Sequence, residues 1–341
     1  MNNLFVYLEI DNGSVSEVSL ELLTKGYSLA QQLNCHLEAV AIGDKLDAVP
    51  ATVGPFGVDT LHLFEAPALK YYTTGPYGTI VTKLFEAEKP QIALMGATTQ
   101  GRDLGPLVSS ALHSGLTADC TSLEIGSYKD PKTKQEYSQL LYQIRPAFGG
   151  NIVATIVNPD CRPQMATVRP GVMKKEPLKG AATEKMKVID HNVADYVTDS
   201  DFVVEILERH IEESKVNLNG APIIVAGGYG VGSEENFKLL HQLATLLGGE
   251  VGASRAAVDA GFVEHARQIG QTGATVRPKL YIACGISGQI QHIAGMQESS
   301  IIISINTDSD APINAIADYV IVGRIEDVIP KFIAAYKKKG K

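Results

Sequence analysis

The chain has few cysteines, no long apolar run and a shortage of basic charge, and each lack removes a class of function. Its four cysteines, Cys35, Cys120, Cys161 and Cys284, are scattered with no CxxC spacing. Neither an iron–sulfur cluster nor a structural zinc is indicated, and no metal site is expected; the four read as reduced, buried thiols. No apolar stretch approaches the ~18 residues of a membrane span, so no membrane insertion is expected. The N-terminus, MNNLFVYLEIDNG, turns acidic within ten residues, whereas a signal peptide needs a basic start and a longer apolar core. It reads as a first strand, and the protein as cytoplasmic. Lys and Arg number 30 against 38 Asp and Glu, a net charge of -8, which argues against nucleic acid as a partner. The cationic run Lys337, Lys338, Lys339 and Lys341 reads as a solvated C-terminus that complements the last helix dipole. Nothing resembles a nucleophile elbow or a paired-carboxylate site, so no catalytic residue is assigned.

What is present suits an ordinary globular α/β protein: 341 residues with 45% hydrophobic and 20% charged content, enough for about two domains. The first two hundred residues alternate strand-like and helix-like segments, the pattern of a parallel sheet with crossover helices. FVYLEI (5 to 10), LEAVAIG (37 to 43) and QIALMGA (91 to 97) read as strands, with an amphipathic helix near 16 to 33. Thr98 to Asp103 reads as a loop opening a helix at Leu104 to Leu112. The segments 137 to 148, 151 to 157 and 163 to 171 read as consecutive strands of an antiparallel addition. The polar stretch 174 to 201 reads as an extended linker, which places the domain boundary near residue 200.

The second unit is expected to begin with a helix around 202 to 214 and then to alternate more cleanly. Strands are predicted at 222 to 228, 280 to 285, 300 to 306 and 319 to 323, and helices at 233 to 248 and 287 to 296. This is a doubly wound domain of roughly 130 residues.

Residues 248 to 295 are the most informative stretch. Gly252, Gly270, Gly273, Gly285 and Gly288 let backbone approach a ligand, while Ser254, Arg255, Thr272, Ser287 and His292 supply donors that an apolar core would not choose. The pattern suggests a buried anionic cofactor. Gly228 to Gly232, between a strand and a helix, invites a dinucleotide reading, but Ser233 stands where the third glycine belongs, and a tight turn capped by Ser233 explains it as well. CGISGQIQH (284 to 292) is stronger, since a strand running into Gly-Ile-Ser-Gly presents unpaired N–H groups to an anion. Arg255, among alanines, needs an anionic or aromatic partner, or else pairs with Asp259 one helical turn on. Arg102, Asp103 and Arg145 in the first domain suit local ion pairing or capping.

GASRAAVDAG (252 to 261), IGQTG (269 to 273), YIACGISGQIQHIAGM (281 to 296), INTDSDAPI (305 to 313) and IADYVIVG (316 to 323) together resemble the signature region of the electron transfer flavoprotein alpha subunits. Weaker echoes at 98 to 112, 145 to 156 and 163 to 173 extend the resemblance over essentially the whole chain. It implies two domains, an N-terminal α/β domain (1 to 200, including the linker) packing on a beta subunit, and a C-terminal doubly wound FAD-binding domain (201 to 341). The implied function is electron carriage between flavin dehydrogenases, such as acyl-CoA dehydrogenases, and an acceptor. A bifurcating, NADH-oxidising complex with the beta subunit falls within the same resemblance, and the linker is expected to act as a hinge. The rival readings are an NAD-dependent dehydrogenase and a non-catalytic nucleotide-binding scaffold.

The resemblance also implies roles. Arg255 lies against the flavin ring and favours its anionic one-electron-reduced form; Thr272, with Gln271 beside it, donates to the flavin N5; His292 is a proton donor near the pyrimidine carbonyl. Gly285, Ser287 and Gly288 hold the pyrophosphate, Asn306 lies on the nucleotide side, and Ser254, Ile269, Gly270, Gln289, Ile290 and Gln291 complete the set. Tyr229 and Arg324 stand on the phosphate and adenosine side, where many relatives carry arginine and some aspartate respectively.

Overall fold

In a computed structural model the described residues are 3–147, 153–178, 186–209, 216, 218 and 220–339, and they form two compact units, one reaching to Arg209 and the other running from Val216. The first unit is built on a parallel sheet. Its strands β1 (Leu4–Leu8), β4 (Leu37–Gly43), β5 (Thr60–Glu65), β6 (Ile92–Gly96) and β11 (Gln164–Val168) are almost wholly buried. A two-residue ribbon, β2 (Ile10–Asp11) with β3 (Ser14–Val15), follows the first strand. Adding β7 (Leu116–Cys120) and β12 (Lys187–Asp190), the order is β12-β5-β4-β1-β6-β11-β7. Apolar residues on both sides of a strand demand cover on both faces. Leu4, Val6 and Leu8 accordingly enter one core with Leu22, Leu23 and Leu29 of helix α1 (Glu17–Leu33). Phe5 and Tyr7 enter another with Ile80, Leu84 and Leu104, which stand on helices α3 (Thr74–Glu88) and α4 (Thr99–Ala111). A short helix α2 (Val49–Val53) lies in the connection from β4 to β5.

Several expectations need correction here. Thr98 to Asp103 is not a loop: α4 starts at Thr99, because the Thr98 hydroxyl accepts from the Gly101 amide at 3.0 Å and caps the helix earlier than the apolar periodicity suggests. The same hydroxyl donates to Glu9 Oε2 at 2.6 Å. Thr98→Ala should therefore cost about 1 kcal/mol or slightly more in urea unfolding; an unchanged midpoint would remove the cap from this account. The antiparallel addition consists of β8 (Ser122–Lys129), β9 (Glu136–Pro146) and β10 (Val153–Ile156), in the order β10-β9-β8. The third expected member, β11, instead pairs parallel with β6 and β7 in the main sheet.

The stretch 174 to 201 is the third correction. Its residues Lys187–Asp190 are an edge strand, β12, paired parallel to β5. Beyond it His191 stacks on Phe64 with centroids 4.4 Å apart and lies 2.9 Å from His62 Nδ1, whose Nε2 is 2.9 Å from Glu38 Oε2. Burial, then the neighbouring His62, hold His191 below the ordinary histidine range. Asp201 accepts from Thr79 at 2.7 Å. A polar composition here marks an edge strand with a buried polar anchor rather than a free linker. Residues 202 to 209 are not helical, and Arg209 ends them paired to Asp11 at 2.6 Å; residues 210 to 214 of the expected helix lie outside the described residues.

Local pairing accounts for two of the first unit's three conspicuous charges: Arg102 meets Asp119 at 3.1 Å, and Asp103 accepts from Tyr72 at 2.6 Å and Thr74 at 2.5 Å. Cys120 and Cys284 are buried thiols pushed up to about 12 by burial, whereas Cys35 and Cys161 are only part-buried.

The second unit holds five parallel strands, β13 (Ile223–Gly227), β14 (Glu250–Ala253), β15 (Leu280–Cys284), β16 (Ile302–Asn306) and β17 (Tyr319–Val322), in the order β14-β13-β15-β16-β17. Helix α5 (Glu234–Leu247) is capped by Ser233, whose hydroxyl accepts from the Asn236 amide, and stops at Gly248 with φ 71. Its Phe237, Leu240 and Leu243 share one core with Ile325 and Ile329 of α8 (Ile325–Lys339). Tyr281, Ile286, Met296 and Ile313 form the core on the other face. Two short helices, α6 (Arg255–Asp259) and α7 (Ile290–Ile293), lie beyond the strand ends. The expected helix 287 to 296 is thus only four residues long, because Gly285 and Gly288 take φ of 60 and 87 and keep the chain in a loop. Among the described residues, no helix is long and apolar enough to cross a membrane.

Candidate cofactor site

The chain leaves β13 for β14 on one side and returns past it to β15 on the other, so the carboxyl ends of β13 and β15 flank a topological switch point. A cleft of about 690 Å³ opens there, within the size range of small-molecule and cofactor sites. Its wall takes Tyr229 and Gly230 from beyond β13, and Ser254, Arg255, Ala256 and Asp259 from α6 and its cap. Ile269, Gly270, Gln271 and Thr272 come from the next loop, and Gly285, Ile286, Ser287, Gln289, Gln291 and His292 from the turn after β15. Asn306, Asp308 and Ala311 follow β16.

Two glycine turns meet here, and they differ in what their amides do. Gly228 N donates to Cys284 O at 2.8 Å and Gly230 N to Gly285 O at 3.0 Å. A Cβ on Gly228 would stand 2.1 Å from Gly285 O. The Gly228 and Gly230 amides are thus spent on the end of β15 and the residue after it, and those of Val231 and Gly232 within the loop, which counts against a pyrophosphate cradle there and against the dehydrogenase reading built on it. By contrast, the amides of Ile286, Ser287, Gly288 and Gln289 donate to no acceptor among the described residues. Backbone amides are strong donors that folded proteins rarely leave unpaired away from water, and Ile286, Ser287 and Gln289 line the cleft.

The charges on the wall are few. Among the described residues they are Arg255, Asp259 and Asp308, and Arg255 Nε already lies 3.3 Å from Asp259 Oδ2. With one cation against two acids, an anionic group held here depends on the free amides and the Ser254 and Ser287 hydroxyls rather than on net charge. The donor set and the glycine-shaped turn thus fit a ligand that carries a compact anionic group.

His292 lines the cleft but is 6% exposed. Nδ1 lies 3.0 Å from the Ile269 carbonyl and Nε2 2.9 Å from the Tyr281 hydroxyl. Burial pushes the ring down to about 4, against the opposing Ile269 contact. In this arrangement both ring nitrogens are engaged inside the domain. Thr272 accepts from Gln268 Nε2 at 3.0 Å, and the Gln271 amide donates to Gln291 O at 2.7 Å. Asn306 is occupied with structure, donating to Ile286 O at 2.9 Å and accepting from the Asp308 amide at 3.1 Å. Tyr229 stacks on Phe262 with centroids 5.8 Å apart.

Three expected site residues stand off the wall. Gly288 and Ile290 lie behind it, Gly288 because its Cα faces the Ile313 amide. Arg324 precedes α8 and sits 3.6 Å from Glu326. Gly230, Ala256, Ile286, Asp308 and Ala311 were not read as site residues from the sequence, and Asp259 only as an ion-pair partner. A strand-end rule applied to all five strands would have reached Asp308 and Ala311, which follow β16 just as Ser287 follows β15.

Comparison with known proteins gives concordant results. Residues 4–195 match the electron transfer flavoprotein domain and residues 217–297 the electron transfer flavoprotein FAD-binding domain. The chain is 46% identical over 340 residues to protein FixB of Clostridium saccharobutylicum, covering 98% of this chain and 96% of that one. It is 44% identical over 337 residues to the electron transfer flavoprotein subunit alpha of Thermoanaerobacterium thermosaccharolyticum, covering 98% of each. Identity to the acryloyl-CoA reductase electron transfer subunit beta of Anaerotignum propionicum is 38% over 353 residues, covering 98% of this chain and 96% of the relative.

Proposed function

Because the chain belongs to the electron transfer flavoprotein alpha-subunit family, we propose that its second unit holds FAD in the switch-point cleft, and that with a beta subunit it carries electrons between flavin dehydrogenases and an acceptor. The free amides of Ile286, Ser287 and Gln289, opening on a cleft of about 690 Å³, carry the reading. Bound FAD supplies the one- and two-electron steps; the protein supplies position and electrostatics. Residues 285 to 289 and Ser287 would hold the pyrophosphate. Arg255, Gln271 and Thr272 would face the ring from the opposite wall, with Ser254, Ile269, Gly270, Gln289, Gln291 and His292 around it, and Tyr229 and Asn306 toward the nucleotide end. Gly288 and Ile290 shape the turn from behind. Of the positions the resemblance implies, Arg324 has the least support, standing outside the cleft.

Acyl-CoA dehydrogenases are the proposed donors; the relative named as an electron transfer subunit of acryloyl-CoA reductase supports a CoA-linked redox partner. A bifurcating, NADH-linked form would draw on a second flavin in the beta subunit, and NADH oxidation by the reconstituted pair is its test. Mass spectrometry of the ligand released from the co-purified complex decides the main reading: FAD supports it, while NAD, or AMP or ATP without flavin, replaces it by one of its rivals.

Arg255 gives a sharper test. Its pair with Asp259 is about two-thirds exposed on both sides, 69% and 64%, so Arg255→Ala should change stability by less than about 0.5 kcal/mol. The same variant should lower the potential at which the bound cofactor is reduced, since Arg255 is the cation on the wall among the described residues. A stability loss with an unchanged potential would return Arg255 to the role of a surface ion-pair partner.

A further inference from the structure

Behind the cleft wall, one buried amide holds a residue of the wall in place. Gln268 is 4% exposed and stands off the wall, whereas Thr272 lines it. The backbone between them folds back on itself: Gln268 O accepts from the Ala274 amide at 2.8 Å, and the Gly273 amide donates to Gly270 O at 3.1 Å. A Cβ on Gly273 would stand 2.3 Å from Gln268 O, so the loop closes this far only with glycine there. The Gln268 side chain then reaches the tip, with Nε2 3.0 Å from Thr272 O and 3.0 Å from Thr272 Oγ1. Methionine would fill similar space with no amide to satisfy, and a buried amide is costly unless it is paired.

The direction of each bond follows from the chemistry of the partners. The Thr272 carbonyl can only accept, so the Gln268 atom beside it is the nitrogen and not the oxygen. An amide nitrogen gives hydrogen and does not accept it. The Thr272 hydroxyl oxygen is therefore the acceptor in the second bond, which leaves the hydroxyl's own hydrogen over. Among the described residues nothing accepts that hydrogen, and Thr272 lines the cleft. A hydroxyl without such a partner can turn either a lone pair or its hydrogen toward a ligand; held by Gln268, it turns the hydrogen.

We propose that Gln268 is a positioning residue of the cofactor cleft, which by holding the Thr272 hydroxyl oxygen aims the hydroxyl hydrogen at an acceptor atom of the ligand. Such a donor bonds more strongly as electron density on the acceptor rises, and loses its bond when that atom takes up a hydrogen of its own. Gln268 thus favours adding an electron to the ligand without a proton. It acts only through Thr272. The electrochemical part of this inference rests on the FAD reading; the held hydroxyl does not.

The test has two arms, the first on the cofactor-free full chain labelled with 15N. The side-chain amide signal lost in Gln268→Met identifies Gln268. In the wild type its hydrogens should exchange slowly with water, and the signal should shift in Thr272→Val, which removes Oγ1 and keeps the carbonyl. In the flavin-loaded complex, Gln268→Met should lower the potential of the first one-electron step by the equivalent of an about two- to tenfold change in the ratio of the two forms, the range of one neutral hydrogen bond. Thr272→Val should lower it too, and the double variant no further than Thr272→Val alone. Thr272→Ser keeps a hydroxyl and should keep the dependence on Gln268. Additive effects of Gln268→Met and Thr272→Val, or a Gln268→Met potential equal to that of the wild type, overturn the proposal. Should Gln268→Met fail to fold, a Gln268 amide assigned through its neighbours that exchanges like exposed ones, or that Thr272→Val leaves unmoved, overturns it as well. Since the amide readout needs no cofactor, it stands or falls apart from the released-ligand measurement.

Discussion

Gly288→Ala should yield a chain that keeps less than about a tenth of the wild-type FAD, the equivalent of ~1.4 kcal/mol in binding. Gly288 has φ 87, and a Cβ there would stand 2.2 Å from the Ile313 amide nitrogen and 2.6 Å from its Cα. Backbone cannot swing aside as a flexible side chain does. The left-handed conformation alone costs a residue with a Cβ about 1–2 kcal/mol, and relieving the clash adds on the order of 1–3 kcal/mol. Relief means moving residues 285 to 289 away from Ile313, which breaks the bond from the Ile313 amide to Ser287 O at 3.1 Å and carries the free amides off the cleft wall. Gly232→Ala is the matched control, with φ 84 but nothing within 4 Å of its added Cβ. It should lose stability through conformation alone and keep its flavin. Flavin absorbance per chain compares the two; equal retention by both would show that the turn after β15 does not hold the cofactor.

The contrast between these glycines also shows what could be read from the sequence. Both stand in Gly-rich strand-to-helix turns, and nothing local separates them; the difference lies in Ile313, brought near by the β16 crossover. The same holds for Gly228 and Gly230, whose amides are consumed by β15, a strand more than fifty residues away in sequence. LEAVAIG was legible to the residue because both faces of β4 are buried, so its run is apolar apart from Glu38. Strand β12, KVID, was hidden by the opposite cause: it is an edge strand, mostly exposed, and its composition is that of a linker. Strands β7 and β8 failed for a related reason, with only two of five and one of eight of their residues fully buried. At the site, residue types reached Ser254, Arg255, Thr272 and His292. They could not reveal that His292 points inward, since that depends on Tyr281 meeting it from the adjoining strand.

Asp119→Asn should destabilise the first unit by about 2–3 kcal/mol at pH 7, toward the low end for a broken buried ion pair because Asp119 keeps some water. Its carboxylate is 25% exposed, but Arg169, 2.7 Å away, is only 8% exposed and would be left as a nearly buried, uncompensated cation. Arg102, at 3.1 Å and 58% exposed, contributes little. Asparagine keeps the shape and tolerates the φ of 65 that Asp119 adopts where the β7–β11 register shifts, so the variant isolates charge from backbone strain. Burial pushes the Asp119 carboxyl up, but the Arg169 hydrogen bond and charge, followed by Arg102, outweigh it and hold the group below its ordinary 3.8. A carboxyl depressed in the folded state contributes stability above its unfolded pKa, and that contribution is lost as pH falls through the folded value. The gap between wild type and variant in urea should therefore be full at pH 7 and shrink from about pH 4 downward. Adding Arg169→Gln to Asp119→Asn should recover part of the loss, because the stranded cation is then gone. A single variant within about 0.5 kcal/mol of wild type at pH 7, the spread of ordinary surface changes, would show that the pair does not anchor β7 to β11.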